Sequence, residues 1–334
     1  MDYNAIAEYD KVFLSKVFTF TNVPIDVDSF KNLEYGGTGF FFDKAPGLPT
    51  EIEHHMPDYN LYDSYVEKEI NRGIKRSYFL DYIDYSIGFA TRHCFRKCAF
   101  CVNRNFDKVI GHAPVREFYD QSRKYIYLWD DNFLGYYKWN EVLDELEEIN
   151  RPFQFRQGLD IRAMTEAKAM RLSKVKYKGD FIFAFDDIKQ TPEVTEKIKL
   201  WKKHYTKKGN TKLYVLCGFD REGKYDKQFW KQDIIDTLER IKILMVHGCI
   251  PYIMRYEKYE ESPYRGMYIT LARWCNQPSF FKKESLREYV YITDGIGREE
   301  KEYAAKRYIE EFQKDHPEIA RQYFDLKYED IKEM

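Results

Sequence analysis

Two kinds of hydrophobic stretch alternate between residues 80 and 276. Short runs over 85–92, 125–129, 153–162, 181–185, 213–219 and 251–256 are rich in aromatic and β-branched residues, the content of strands. Between them, apolar residues recur at helical spacing: Trp139, Val142, Leu143, Leu146 and Ile149, then Val194, Ile198, Trp201 and Tyr205, then Trp230, Ile234, Leu238, Ile241 and Met245. Thr165 and Thr191 suit helix N-caps, Pro192 suits a first helical position, and Gly248 suits a helix end. Strands with little alternation, separated by amphipathic helices, predict an α/β fold with a parallel sheet covered by helices.

The flanks read differently. Residues 11–20 have strand content, and the turn Gly36-Gly37-Thr38-Gly39 follows. A glycine turn cradles phosphate only where it opens a helix, and Phe40-Phe41-Phe42 with Pro46-Gly47-Leu48-Pro49 argue for a loop. Residues 51–63 read as a polar linker, in which His54 and His55 with Glu51 and Glu53 are metal-capable but of a kind ordinarily solvated. Residues 298–312 form a charged amphipathic helix with Ala305, Tyr308, Ile309 and Phe312 on one side, and Pro317 opens a last helix. The chain therefore divides into an N-terminal segment over 1–80, a core over 81–276 and a helical extension over 277–334 that packs against the core.

Three of the six cysteines, Cys94, Cys98 and Cys101, fall within eight residues at C-x3-C-x2-C spacing. Three thiolates ligating a four-iron cluster leave one iron open to a small molecule, much as a catalytic zinc keeps an open position. With Thr91-Arg92-His93 before the first cysteine and Phe100 before the third, this stretch resembles the cluster loop of the radical S-adenosylmethionine (radical SAM) superfamily. The resemblance spans residues 80–276 and implies a partial (β/α) barrel of six units, with an irregular N-terminal extension and a C-terminal helical tail. It implies a [4Fe-4S] cluster on Cys94, Cys98 and Cys101, with S-adenosyl-L-methionine chelated to the open iron. An electron delivered by a reductant such as a flavodoxin or ferredoxin would then cleave the cofactor to a 5′-deoxyadenosyl radical.

In parallel α/β barrels the reactive groups stand at the carboxyl ends of the strands. Asp130-Asp131-Asn132 ends the second strand, where the family often carries Gly-Gly-Glu, and it is similar to an Asp-Asp-Asn stretch of radical SAM methylthiotransferases. The resemblance implies that it accepts hydrogen bonds from the methionine ammonium group, and a helix-cap cluster is the alternative. Gln157, Asp160 and Arg162 surround Gly158 at the end of the third strand. Arg162 could hold the methionine carboxylate, with Asp160 fixing Arg162, or the two could form a rim pair only. Phe100 and Asp186 complete the expected cofactor contacts, and Asp220 and Arg255 end later strands. The N-terminal segment resembles the tail of the cobalamin-binding-like domain of some family members, but it lacks their Asp-x-His-x-x-Gly motif, so no cobalamin is expected.

Composition narrows the partners. Lys and Arg total 54 against 55 Asp and Glu, so the chain has no overall electrostatic footprint for nucleic acid. The 29 tyrosines and 25 phenylalanines are spread along it rather than gathered in one stacking surface. Without a secretory signal or an apolar run long enough to span a bilayer, the sequence predicts a cytoplasmic protein with no membrane partner. A reducing compartment suits thiolate ligands. Cys217, Cys249 and Cys275 share no C-x2-C spacing and read as buried thiols. Two other functions stay open: an RNA- or nucleotide-modifying radical SAM enzyme, and a non-catalytic zinc or iron-sulfur module in which His93 or His112 adds a fourth ligand.

Overall fold

The computed structural model describes residues 3–207, 209–291 and 299–332. Its strands are β1 (Val12–Ser15), β2 (Leu33–Gly36), β3 (Tyr85–Gly88), β4 (Thr91–Arg92), β5 (Ile110–Gly111), β6 (Tyr125–Leu128), β7 (Phe153–Phe155), β8 (Phe181–Ala184), β9 (Thr211–Cys217) and β10 (Ile250–Arg255). The fold is mixed α/β. β3, β6 and β7 form one parallel sheet in that order, and β8, β9 and β10 form another. Isolated parallel bridges Phe153–Tyr177 and Leu159–Phe183 link the two, so the six strands stand in chain order.

The helices Trp139–Ile149, Glu166–Leu172, Thr191–His204 and Lys227–Val246 follow β6, β7, β8 and β9 in turn. Ile126, Leu128, Phe153, Phe155, Phe181, Phe183, Leu213 and Val215 share one buried core with the apolar faces of these helices. Thr165 caps its helix through the Lys168 amide, as expected. The Thr191–His204 helix instead takes Gln190 as its cap residue, with Pro192 inside the first turn.

Three expectations about the strands are corrected. The run over 85–92 is interrupted: β3 stops at Gly88, and Thr91–Arg92 turns away to pair antiparallel with Ile110–Gly111. The run over 153–162 is strand only over Phe153–Phe155; one more ladder bond, from Arg156 N to Leu128 O, and an isolated bridge at Leu159 follow before Asp160 accepts from the Arg162 amide and starts a 3-10 turn, Ile161–Ala163. Burial in β9 alternates residue by residue, so helices cover one face of the sheet while Lys212, Tyr214 and Leu216 lie half-buried on the other.

The N-terminal segment also departs from the reading of residues 11–20 as one strand. Only Val12–Ser15 is strand, and it pairs in parallel with Leu33–Gly36. The glycine turn opens a single helical turn, Thr38–Phe41, rather than a loop. Gly37 sits there at φ 96°, where a Cβ would come within 2.4 Å of the Lys16 carbonyl oxygen. Part of the supposed polar linker is helical as well, over Thr50–Glu53, and Asp63–Asn71 follows as a helix. At the other end the charged helix runs over Glu299–Asp315, with Arg298 outside the described residues, and Pro317 opens Pro317–Tyr323. Tyr308 packs on Gly266 of the Arg265–Cys275 helix, where a Cβ would come within 2.0 Å of the ring. Among the described residues no helix is long and apolar enough to cross a membrane.

Side chains close both edges of the six-strand array, which would otherwise present unpaired backbone groups. At β3, the Tyr59 hydroxyl accepts from Ile87 N (2.8 Å) and donates to Phe118 O (2.7 Å). At β10, Asn276 accepts from Ile253 N (2.7 Å) and donates to Ile253 O (3.1 Å). Tyr59→Phe leaves the Ile87 amide unpaired and should lower stability by about 1–2 kcal/mol. Urea denaturation at an unchanged m-value is the measurement, and a loss below about 0.3 kcal/mol would mean that the edge does not depend on this hydroxyl.

Candidate functional site

The cysteine loop begins where β4 and β5 pair, and the Asp130-Asp131-Asn132 stretch holds its first residues one after another. Asp130 is buried and accepts from Ala90 N (2.9 Å), Thr91 N (3.0 Å) and Thr91 Oγ1 (2.6 Å). Asp131 accepts from His93 N (2.7 Å). Asn132 donates through Nδ2 to Cys94 Sγ (3.1 Å). His93 has φ 71°, a left-handed conformation uncommon for a residue with a Cβ, and its ring stacks on Phe106 at 3.6 Å. The bond from Asp131 and this stacking support the turn that points Cys94 away from the strand. Asn132 precedes a 3-10 turn but makes no side-chain cap bond there, so the helix-cap alternative is not what its side chain does.

Two further sulfur contacts come from the backbone, with Arg96 N donating to Cys94 Sγ at 3.3 Å and Asn103 N to Cys101 Sγ at 3.4 Å. The basic residues of the loop are engaged. Arg96 Nε donates to Asp160 Oδ2 (2.7 Å), Lys97 pairs with Asp107 (2.6 Å), and Arg104 pairs with Asp43 (2.7 Å) while reaching Ala99 O (3.3 Å). Asp160 also accepts Arg162 Nε at 2.6 Å. It thus joins the cysteine loop to the 3-10 turn that follows β7.

All three cysteines are half-buried and free. Burial raises the Cys98 thiol pKa and lifts that of Cys101 to about 11, and each is raised further by charge on its neighbouring cysteines. Burial thus favours the protonated thiol at Cys98 and Cys101, so binding a metal group there would release protons. Among the described residues, no group of three or more His, Cys, Asp or Glu side chains closes on a single metal ion. His112 instead meets Glu53 at 3.3 Å and stacks on His54 at 4.9 Å, while His54 bonds Glu117 at 2.6 Å. Cys217, Cys249 and Cys275 are each buried.

No protein-family model, curated protein or solved structure matches the chain. The site therefore has to be read from its own geometry. A cleft of about 360 Å³ opens beside the loop, lined among others by Cys98, Phe100, Arg162, Asp186, Phe219 and Asp233. Phe100 meets Phe219 edge to face at 5.5 Å. Burial raises the carboxyl pKa of both Asp186 and Asp233. Asp220 also lines this cleft, whereas Gln157 and Arg255 are exposed and do not. Asp130, Asp131, Asn132 and Asp160 are likewise absent from its walls, their hydrogen bonds being made to the loop or to Arg162.

Two cleft residues escaped sequence reading. Arg240 is buried and donates to Phe185 O (3.1 Å) and Asp186 O (2.8 Å), tying the Lys227–Val246 helix to the end of β8. Asp233 accepts from Gly218 N (2.8 Å) and Tyr268 Oη (2.7 Å), doing the same for β9. Their signal was spacing: seven residues apart, both fall on the apolar face of the helix, where charged residues interrupt the pattern.

Burial raises the Asp130 pKa to about 7, against the lowering effect of the Thr91 and Ala90 donors. An unfolded aspartate titrates near about 3.9, so between these values the folded chain holds a proton that the unfolded chain has lost. The contribution is therefore full below about pH 3.9 and lost as pH rises through about 7. Asp130→Asn, uncharged throughout, should flatten the stability–pH curve between about pH 4 and 7 while costing about 1–2 kcal/mol for opposing an amide to the Thr91 donors. Urea denaturation across that range tests this; a slope as steep as wild type would refute it.

Proposed function

We propose that the chain is a radical SAM enzyme, in which the six parallel strands form a partial (β/α) barrel and Cys94, Cys98 and Cys101 hold a [4Fe-4S] cluster. The observation that carries the reading is the set of hydrogen bonds to the first and third cysteine sulfurs from Asn132 Nδ2, Arg96 N and Asn103 N. Donors aimed at sulfur stabilise thiolate and tune an iron-sulfur group. The donor set fits: three thiols in one loop suit a cluster, in which each sulfur ligates its own iron, better than a single ion, which asks all its ligands to converge. The chemistry supplied by the bound group would be one-electron cleavage of S-adenosylmethionine to methionine and a 5′-deoxyadenosyl radical.

The protein's share is binding and orientation. Asn132 Oδ1 is buried without a hydrogen-bond partner among the described residues, and its Nδ2 is committed to Cys94, so an ammonium group is the complement it lacks. Asp160 engages the Nε edge of Arg162, which leaves the outer edge of the guanidinium for a carboxylate. Phe100 and Phe219 offer aromatic surface in the cleft, and Asp186 and Asp233 offer carboxyl groups for hydroxyl or amine donors. Asp130 and Asp131 act one step back, by holding the loop.

Anaerobic reconstitution should give about four irons and four sulfides per chain. Dithionite and S-adenosylmethionine should then yield 5′-deoxyadenosine, with Cys98→Ala forming none above background. Asn132→Ala should retain iron less firmly and lower product by about tenfold or more, a cost of about 1.4 kcal/mol in binding or orientation. Zinc in place of iron and sulfide, or equal product from wild type and Cys98→Ala, would overturn the assignment.

A further inference from the structure

The face of the sheet turned away from the helices carries a second set of polar groups. Tyr127 pairs in register with Gln154, Ala184 with Tyr214, and Tyr214 with Tyr252. Side chains alternate along a strand, so Trp129 and Arg156, each two residues past the Tyr127–Gln154 pair, lie on the same face and beside each other. The ladder extends far enough for this: Trp129 N donates to Gly88 O at 2.9 Å and Arg156 N to Leu128 O at 2.8 Å. Tyr252 and Met254 are 40% and 43% exposed within β10, which shows that the face opens toward solvent on that side.

Two donors here have capacity that the protein leaves unused. Trp129 Nε1 is buried and has no acceptor among the described residues. Buried donors are nearly always paired, so an orphan marks a place for a partner from outside. Arg156 lies over the Tyr127 ring at 5.0 Å, and its nearest carboxylate, on Asp81, is 3.6 Å away. Both members of that pair are more than two-fifths exposed, which makes it a weak contact that a better acceptor can displace. A buried indole N–H without an acceptor and a weakly engaged guanidinium on the neighbouring strand both call for an acceptor with negative charge.

We infer that Trp129 and Arg156 form a binding site for an oxyanion of the substrate, a carboxylate or a phosphate ester. Trp129 directly precedes Asp130 and stands three residues before Asn132, which bonds Cys94 Sγ. A substrate anchored there by its anionic end would extend its remaining atoms along the open face next to the cysteine loop. That orientation rests on the radical SAM reading, whereas the anion site does not.

The full chain labelled with 15N-tryptophan should show an indole resonance for each of its five tryptophans, and Trp129→Phe, or Trp129→Tyr where phenylalanine is not tolerated, identifies the one concerned. Inorganic phosphate and acetate are titrated separately, against sodium chloride at equal ionic strength. The Trp129 resonance should move saturably with an oxyanion and not with chloride, and Arg156→Gln should weaken the apparent affinity by about fivefold or more. Response to phosphate alone assigns a phosphate ester, and response to acetate assigns a carboxylate. A Trp129 resonance that ignores both oxyanions, follows chloride equally, or shifts as strongly in Arg156→Gln overturns the site. The titration needs neither iron nor S-adenosylmethionine, so failure of the cluster reading and failure of this site are separately visible.

Discussion

A buried carboxylate, Asp130, bonds the end of β6 to the residues just beyond β3, and the direction of the cysteine loop depends on that bond. Thr91 and Ala90 direct three donors at its two oxygens. Without them the chain after Gly88 would have little reason to leave the parallel ladder, because residues 89–92 are as strand-forming as those before them. The bond also sets β4 against β5, which brings the two ends of the loop together. Asp131 and Asn132 extend the same clamp by one residue and one sulfur. Three consecutive polar side chains therefore help to fix the position of Cys94 from the neighbouring strand, together with the stacking of His93 on Phe106 within the loop.

The opposite wall of the cleft is built on the same principle, with one buried cation and one buried carboxyl group. Arg240 sends its guanidinium to carbonyls at the end of β8, which the ladder leaves unpaired. Asp233 collects the Gly218 amide and the Tyr268 hydroxyl at the end of β9. Removing a partner from such a buried group costs more than the bond is worth, because a desolvated charge or dipole is left behind. Strand ends held in this way stay in register while the cleft between them remains open. The cysteine loop and the Lys227–Val246 helix can then face each other across a fixed gap.

Much of this fold was legible in the sequence, and the reasons differ by element. The helices Trp139–Ile149 and Lys227–Val246 were plain because an apolar stripe at 3.6-residue spacing fits one buried helix face and breaks the period of a strand. The strands were placed but drawn too long at β3 and β7, where tertiary bonds from Asp130 and Asp160 overrule local preference. The cysteine trio was visible as spacing. The function of Asp130-Asp131-Asn132 in holding the loop was not, since it depends on which strand lies beside which. Arg240 and Asp233 were hidden for a related reason: a charged residue on an apolar helix face shows that something meets it, but not what. The parallel pairing of β1 with β2 also had no local signal, because the two strands are joined by an irregular stretch rather than a hairpin turn.

The least expected feature is the uneven burial of the two sheet faces. Parallel sheets usually carry helices on both sides or close into a barrel whose interior is filled. Here the helix-facing positions are apolar apart from the buried Ser86 and Thr211, while the opposite face presents Tyr127, Gln154, Arg156, Lys212, Tyr214 and Tyr252. Packing alone does not call for these residues, since valine or leucine would bury more cheaply in a filled interior. Tyrosine with arginine instead suits a face that meets both protein and water, each side chain offering an apolar body and a polar tip. The sheet edges are sealed by Tyr59 and Asn276, so what remains accessible is this face rather than the strand edges. An array closed at its edges, packed on one side and polar on the other leaves the polar face open to a ligand, in addition to the cleft between the cysteine loop and the Lys227–Val246 helix at the carboxyl ends of the strands.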